Sequence, residues 1–120
     1  MTQRFVVSLS RGPEDPDRAT VAFTLANAAV GSEQETVVFL SSEGVRFAVA
    51  GYGDDVAEEG FSALKDLMDA FVEAGGQIYA CLPCFNKREL DADALAPGAV
   101  IVGGPKLVAF MAEGAPSVSY

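Results

Sequence analysis

Phe5-Val6-Val7-Ser8-Leu9 is a compact run rich in β-branched residues, closed by Ser10-Arg11-Gly12-Pro13. A short apolar run ended by turn residues reads as a buried strand followed by a loop. Asp15-Pro16-Asp17 then has the form of a helix start, with Asp15 as N-cap and Pro16 in the first helical position. Ala19, Ala22, Phe23, Ala26 and Val30 recur at three- and four-residue steps and make one apolar face, which Gly31 is expected to close.

The same alternation continues. Residues 36–40 (Thr-Val-Val-Phe-Leu) form a second apolar run, ended by Ser41-Ser42-Glu43-Gly44. Such runs lack the in-out alternation of a half-exposed sheet, which is the mark of parallel strands covered by helices. A short helix is expected over residues 45–50, then a mobile loop around Gly51-Tyr52-Gly53-Asp54-Asp55. Phe61, Leu64, Leu67, Met68, Phe71 and Val72 define an amphipathic helix that Gly75-Gly76 stops. Residues 77–81 read as a third strand with Cys81 at its end, residues 91–95 as a helical turn, and residues 99–102 as a fourth strand. Gly103-Gly104-Pro105 opens a last helix carrying Leu107, Val108, Phe110 and Met111, and residues 117–120 suit a short edge strand.

Strand–helix alternation of this kind predicts an α/β fold: one domain over residues 1–120, with a mostly parallel sheet of four to five strands. Right-handed crossovers are expected to place helices on both faces.

Composition narrows the chemistry. Eight Lys+Arg stand against 17 Asp+Glu, a net charge of −9, and Lys87-Arg88 is the closest basic pair. Clustered cations are what nucleic acids and anionic membranes recognise, so the charge argues against both as partners. There is no His, which removes imidazole bases and histidine metal ligands. The apolar run near the N-terminus is too short for a signal sequence, and no stretch approaches the ~18 apolar residues of a spanning helix. A cytoplasmic protein with reduced thiols is the expectation.

In open parallel sheets, ligands collect beyond the carboxyl ends of the strands. Four segments belong there: Ser10-Arg11-Gly12, Ser41-Ser42-Glu43-Gly44, Cys81-Leu82-Pro83-Cys84 and Gly103-Gly104. The Cys81-x-x-Cys84 pair is the sharpest feature. A thiolate is the reactive form, and Lys87 and Arg88 follow closely enough to favour one. Such a pair can take up sulfur as a persulfide, exchange as a disulfide, or simply pack as two small apolar residues. A structural zinc site wants four ligands, and the chain offers two cysteines, so no metal is expected. Gly51-x-Gly53 follows no strand, and Val56 stands where a dinucleotide fingerprint needs its third glycine, so no cofactor is expected either. Backbone amides at Gly103-Gly104-Pro105-Lys106 suit a small anion or merely a tight turn. Glu43 and the acidic runs at Asp54/Asp55 and Glu58/Glu59 suit acid–base work or a solvated face.

Residues 6–19 (VVSLSRGPEDPDRA), 38–45 (VFLSSEGV) and 78–88 (IYACLPCFNKR) resemble the DsrE/DsrF-like sulfur-relay family. Residues 95–108 match in outline as well, so the resemblance is collinear and covers almost the whole chain. It implies a three-layer α/β/α fold, a cytoplasmic protein assembled as a homo-oligomer (trimer or hexamer), and persulfide carriage on a loop cysteine between sulfur donor and acceptor proteins. The family's cysteine falls on Cys81, and Cys84 matches a second cysteine found in some members. A glycine usually follows the family's arginine; here Glu89 follows Arg88. On this reading Cys81 accepts the sulfur, Cys84 is a resolving or auxiliary thiol, and Lys87 and Arg88 stabilise the thiolate. Arg11, Glu43, Gly103 and Gly104 complete the candidate binding set. The alternatives are a thiol–disulfide oxidoreductase using the Cys-x-Pro-Cys form, and a non-catalytic oligomeric module that binds a small anion.

Overall fold

The computed structural model describes residues 3–120. Strand β1 (Arg4–Leu9) leads through the Asp15 cap into helix α1 (Pro16–Gly31), the Asp15 carboxylate accepting from the Arg18 N–H. Strand β2 (Glu35–Leu40) is followed by a 3₁₀ segment (Ser42–Ala48), helix α2 (Leu64–Glu73) and strand β3 (Gln77–Cys81). Helix α3 (Leu82–Lys87), strand β4 (Ala99–Val102), helix α4 (Gly104–Met111) and strand β5 (Ser117–Ser119) complete the chain.

The five strands form one all-parallel sheet in the order β4-β3-β2-β1-β5. That order dictates the layering. Steps from β1 to β2, β3 and β4 all move one way across the sheet, and right-handed crossovers then put their helices on one face. The return from β4 to β5 runs the other way across the whole sheet, so α4 belongs to the opposite face. The core agrees. Val7, Leu9, Val38, Leu40, Ile78 and Ala80 point to the face covered by α1, α2, α3 and the 3₁₀ segment. Val6, Val37, Tyr79 and Val102 point to the other, where Phe110 of α4 meets them. Both faces carry helices, but unequally. On the thin side Val100 and Val108 remain 46% and 66% exposed.

On the thick face Phe23 of α1 meets Phe71 of α2 edge to face, with centroids 6.1 Å apart. The Phe71 ring lies so close to Gly76 that any side chain there would overlap it, which is why the α2–β3 turn is glycine. No helix among the described residues is long and apolar enough to cross a membrane.

Several local expectations change. Gly31 ends α1 in helical conformation; Ser32 caps the helix and Glu33 takes the left-handed turn (φ 63°). Phe61 precedes α2 and is 42% exposed, so it is no part of that helix's apolar face. The helix expected over residues 45–50 is the 3₁₀ segment, which starts earlier, at Ser42. Residues 91–95 form a turn closed by the Ala94 N–H on the Asp91 carbonyl, after which Leu95 bridges antiparallel to Val49. The segment after Cys81, read as a loop, begins with α3.

Candidate functional site

Chain direction singles out one place on the sheet. After β3 the chain turns to the thick face through α3, and after β4 it turns to the thin face through α4. Neighbouring strands whose connections leave to opposite faces open the crevice in which such sheets bind ligands. Cys81 is the last residue of β3 and pairs with Val102, the last of β4. The thiol pair therefore stands at the switch point.

Cys81 is the N-cap of α3 (φ −62°, ψ 119°), and Pro83 falls in the first turn, where a missing N–H costs nothing. Cys84 is the third helical residue. An N-cap side chain lies beside the third residue of its helix, so the spacing brings the two sulfurs together. Both are free thiols and half-buried. Phe85, 1% exposed, anchors the helix in the thick-side core.

The other wall is the start of the 3₁₀ segment. Ser42 holds a left-handed backbone (φ 50°) that costs a non-glycine residue ~1–2 kcal/mol, and its N–H is among the groups that favour the Cys84 thiolate. Glu43 accepts from Arg46 Nε at 2.7 Å and from Arg88 Nε at 2.9 Å. Arg88 Nη1 also donates to the Cys84 carbonyl at 3.1 Å. Glu43 thus ties α3 to the 3₁₀ segment, and the Arg46 bond first, then that of Arg88, holds its carboxyl below the usual range. Two glycines permit the close approach behind it. A Cβ on Gly12 would lie 2.4 Å from the Glu43 carbonyl oxygen, and one on Gly44 would lie 2.3 Å from that of Leu9.

The two thiols differ. Burial raises Cys81, and the neighbouring Cys84 thiol adds to the rise against the pull of the Cys84 N–H and Arg88. Burial opposes ionisation of Cys84 too, but the Ser42 N–H, the Cys81 thiol, Arg88 and Lys87 together outweigh it and lower its pKa. The sequence suggests Lys87 and Arg88 as stabilisers of a Cys81 thiolate; in the structure Arg88 acts on both thiols and Lys87 on Cys84. Arg88 is no free cation either, being 14% exposed and paired with Glu43.

The remaining candidates are less engaged. Arg11 is exposed at the end of β1, with no ion pair among the described residues. Gly103 caps α4 in extended conformation, and a Cβ on Gly104 would meet nothing within 4 Å, so neither glycine is demanded by a cradle. Gly51 (φ 102°) is a loop residue lining a cavity of about 120 Å³ with Phe47, Met68 and Pro97. No group of three or more potential metal ligands occurs among the described residues. Ser42 lies in a segment that the sequence places at this edge, but no role is legible for it there, because its contribution is a backbone amide. The start of α3 has a signal in retrospect: a proline two residues after a capping position.

Glu89 stands where the resemblance implies a glycine. It takes the left-handed conformation (φ 51°) just past the end of α3, where glycine has no steric cost. Glu89→Gly is expected to raise stability by about 1 kcal/mol, read as a higher urea midpoint at unchanged slope. A lower midpoint would show that the Glu89 side chain contributes more than its backbone strain removes.

A doubly wound parallel sheet with a thiol pair at its switch point defines a class of small α/β domains. The chain belongs to the DsrE/DsrF-like family, which it matches over residues 3–118. It is similar to an uncharacterized protein of Methanocaldococcus jannaschii, 25% identical over 109 residues covering 91% of this chain and 39% of that one. An uncharacterized protein of Methanopyrus kandleri is 26% identical over 107 residues, covering 89% and 85%. The chain thus spans about two fifths of the first relative and most of the second. The crystal structure of the ychN protein from E. coli superposes with a TM-score of 0.83 at 17% identity, over 99% of this chain and 100% of that one. A protein of unknown function from Methanobacterium thermoautotrophicum gives 0.75 at 18%, over 98% and 99%. At such identities the likeness is one of fold.

Proposed function

We propose that this protein is a cytoplasmic sulfur carrier that holds persulfide sulfur on the Cys81–Cys84 pair and passes it from a donor protein to an acceptor protein, without a cofactor. The observation that carries the reading is the placement of two free, half-buried thiols one helical turn apart at the switch point, where the Ser42 N–H and the nearby Arg88 and Lys87 favour the thiolate of Cys84. Cys84 is the thiolate that takes the sulfur, and Cys81 stands beside it as the second thiol. That reverses the order suggested by the sequence.

The test has two readouts. Incubation with a cysteine desulfurase and cysteine should add about 32 Da, one sulfur atom, to the intact chain. Limiting iodoacetamide at neutral pH should modify Cys84 before Cys81, and Arg88→Ala should slow that labelling. Absence of the adduct, with equal and slow labelling insensitive to Arg88, would mean two packed thiols. A thiol–disulfide oxidoreductase is the second reading, favoured by the placement of Cys-Leu-Pro-Cys across the first turn of α3. A Cys81–Cys84 potential in the range of thioredoxins, about −270 mV, would support it.

The carrier is proposed to work as a homo-oligomer, a trimer or hexamer. The apolar residues Val100 and Val108 on the thin face and the unpaired edge of β4 support that. Light scattering at micromolar concentration should give a mass of three or six chains; a monomer would overturn the assembly.

A further inference from the structure

Cys81 and Cys84 are the only two cysteines in the chain. A sulfur held on one of them can be displaced from within the molecule only by the other. The capping position and the third helical residue stand one turn apart, and residues three apart on a helix have Cβ atoms ~5–6 Å from each other. Disulfides need Cβ atoms ~3.5–4.5 Å apart, so a tightening of this one turn by about 1 Å, with rotation of the side chains, joins the pair. Pro83 and the Phe85 anchor fix the turn between them, and the Arg88 bond to the Cys84 carbonyl fixes its far end.

We propose that the protein has a second activity, the reductive release of carried sulfur as hydrosulfide, with Cys81 as the displacing thiol. This rests on the carrier reading above. In the first step the Cys84 thiolate attacks the outer sulfur of a donor persulfide. A bond forms between Cys84 Sγ and that sulfur, the donor S–S bond breaks, and the donor leaves as its thiolate. In the second step Cys81 gives its proton to solvent and its sulfur attacks Cys84 Sγ. The Cys81–Cys84 disulfide forms, the bond to the carried sulfur breaks, and that sulfur departs as hydrosulfide. The two cysteines lose two electrons and the carried sulfur gains two. An external dithiol then reduces the disulfide and restores the pair. Hydrosulfide is a stable anion at neutral pH and leaves without a general acid, which suits a chain without histidine.

The consequence is a branch. When an acceptor reaches Cys84 before Cys81 does, the sulfur moves on as a persulfide; otherwise it is released as sulfide. The role of Cys81 is then to limit how long the loaded state lasts.

The experiment loads the full chain with one equivalent of glutathione persulfide, removes small molecules by rapid desalting, and follows intact mass and free sulfide without reductant. The wild type should release about one equivalent of sulfide and end about 2 Da below the reduced mass, as the disulfide. Cys81→Ser should keep the adduct of about 32 Da and release sulfide at least ~10-fold more slowly. Cys84→Ser should not load at Cys81 to a comparable extent. A wild type that holds its adduct as long as Cys81→Ser, with no disulfide, overturns the release activity and leaves carriage standing. Failure of both the wild type and Cys81→Ser to load overturns carriage itself, and the release activity with it. Circular dichroism of each variant confirms that the serine substitutions leave the fold in place.

Discussion

Gly44→Ala is expected to destabilise the protein by about 3 kcal/mol, the upper end of what overpacking costs. The new methyl group would sit 2.3 Å from the Leu9 carbonyl oxygen, 3.2 Å from its carbon and 3.3 Å from the Arg11 carbonyl oxygen. All three are backbone atoms, so no rotamer change relieves the overlap. The Leu9 carbonyl is also held in place, because it accepts the Ser41 N–H at 3.1 Å while Leu9 pairs in register with Leu40. Relief must come from the 3₁₀ segment moving off the end of β1, which carries the Ser42 amide and the Glu43 carboxylate away from α3. The expected result is a lower urea midpoint at unchanged slope, together with loss of preferential labelling at Cys84. Gly31→Ala is the control. It lies in a helix with nothing within 4 Å of its missing Cβ, so it should be neutral or stabilising by up to about 1 kcal/mol. A Gly44→Ala protein within 0.5 kcal/mol of the wild type, roughly the scatter of a surface substitution, would show that the two loops can part without cost.

The strands and long helices were legible because burial writes itself into composition. Residues 5–9 and 36–40 read as covered strands, being short, rich in β-branched residues and closed by turn residues, and the Asp15-Pro16 start announced α1 from local chemistry alone. The unequal faces were not legible. Val6 and Val7 are the same residue on opposite sides of β1, and which side is thickly covered follows from strand order, set by contacts distant in sequence. Helix α3 escaped for a related reason. Six residues are too few to show a period, and its support is tertiary, through buried Phe85 and through Arg88 meeting Glu43 from 45 positions away. Phe61 failed in the opposite sense, fitting the helical spacing of Leu64 and Met68 while the helix began after it. At the site the sequence identified both thiols and the basic pair. It gave the cations to Cys81 because the end of the third strand and the family resemblance both pointed to that thiol. The Ser42 amide, a backbone group in a left-handed turn, leaves no mark in a list of side chains.

Phe85→Ala tests whether that tertiary support is what makes the site. Phe85 follows Cys84 directly and is the one side chain of α3 buried in the core. Its carbonyl also accepts the Arg88 and Leu90 N–H groups that end the helix. Truncation removes a ring from a closed cluster and leaves a cavity, a change that costs about 3–5 kcal/mol in well-packed interiors. Six residues have no intrinsic helical stability to fall back on, since isolated helices shorter than about 12 residues are marginal in water. The turn carrying Cys81 and Cys84 should therefore lose its fixed geometry before the rest of the sheet does. Both thiols should label faster than in the wild type, and the preference for Cys84 should fall, because the Ser42 amide no longer meets a fixed sulfur. Phe85→Leu keeps most of the apolar volume, should cost no more than about 1.5 kcal/mol, and should keep the order of labelling. If Phe85→Ala retains both the wild-type midpoint and the wild-type order, then α3 is held by the Glu43–Arg88 pair alone. Glu43→Gln would in that case disorder the thiols where Phe85→Ala did not.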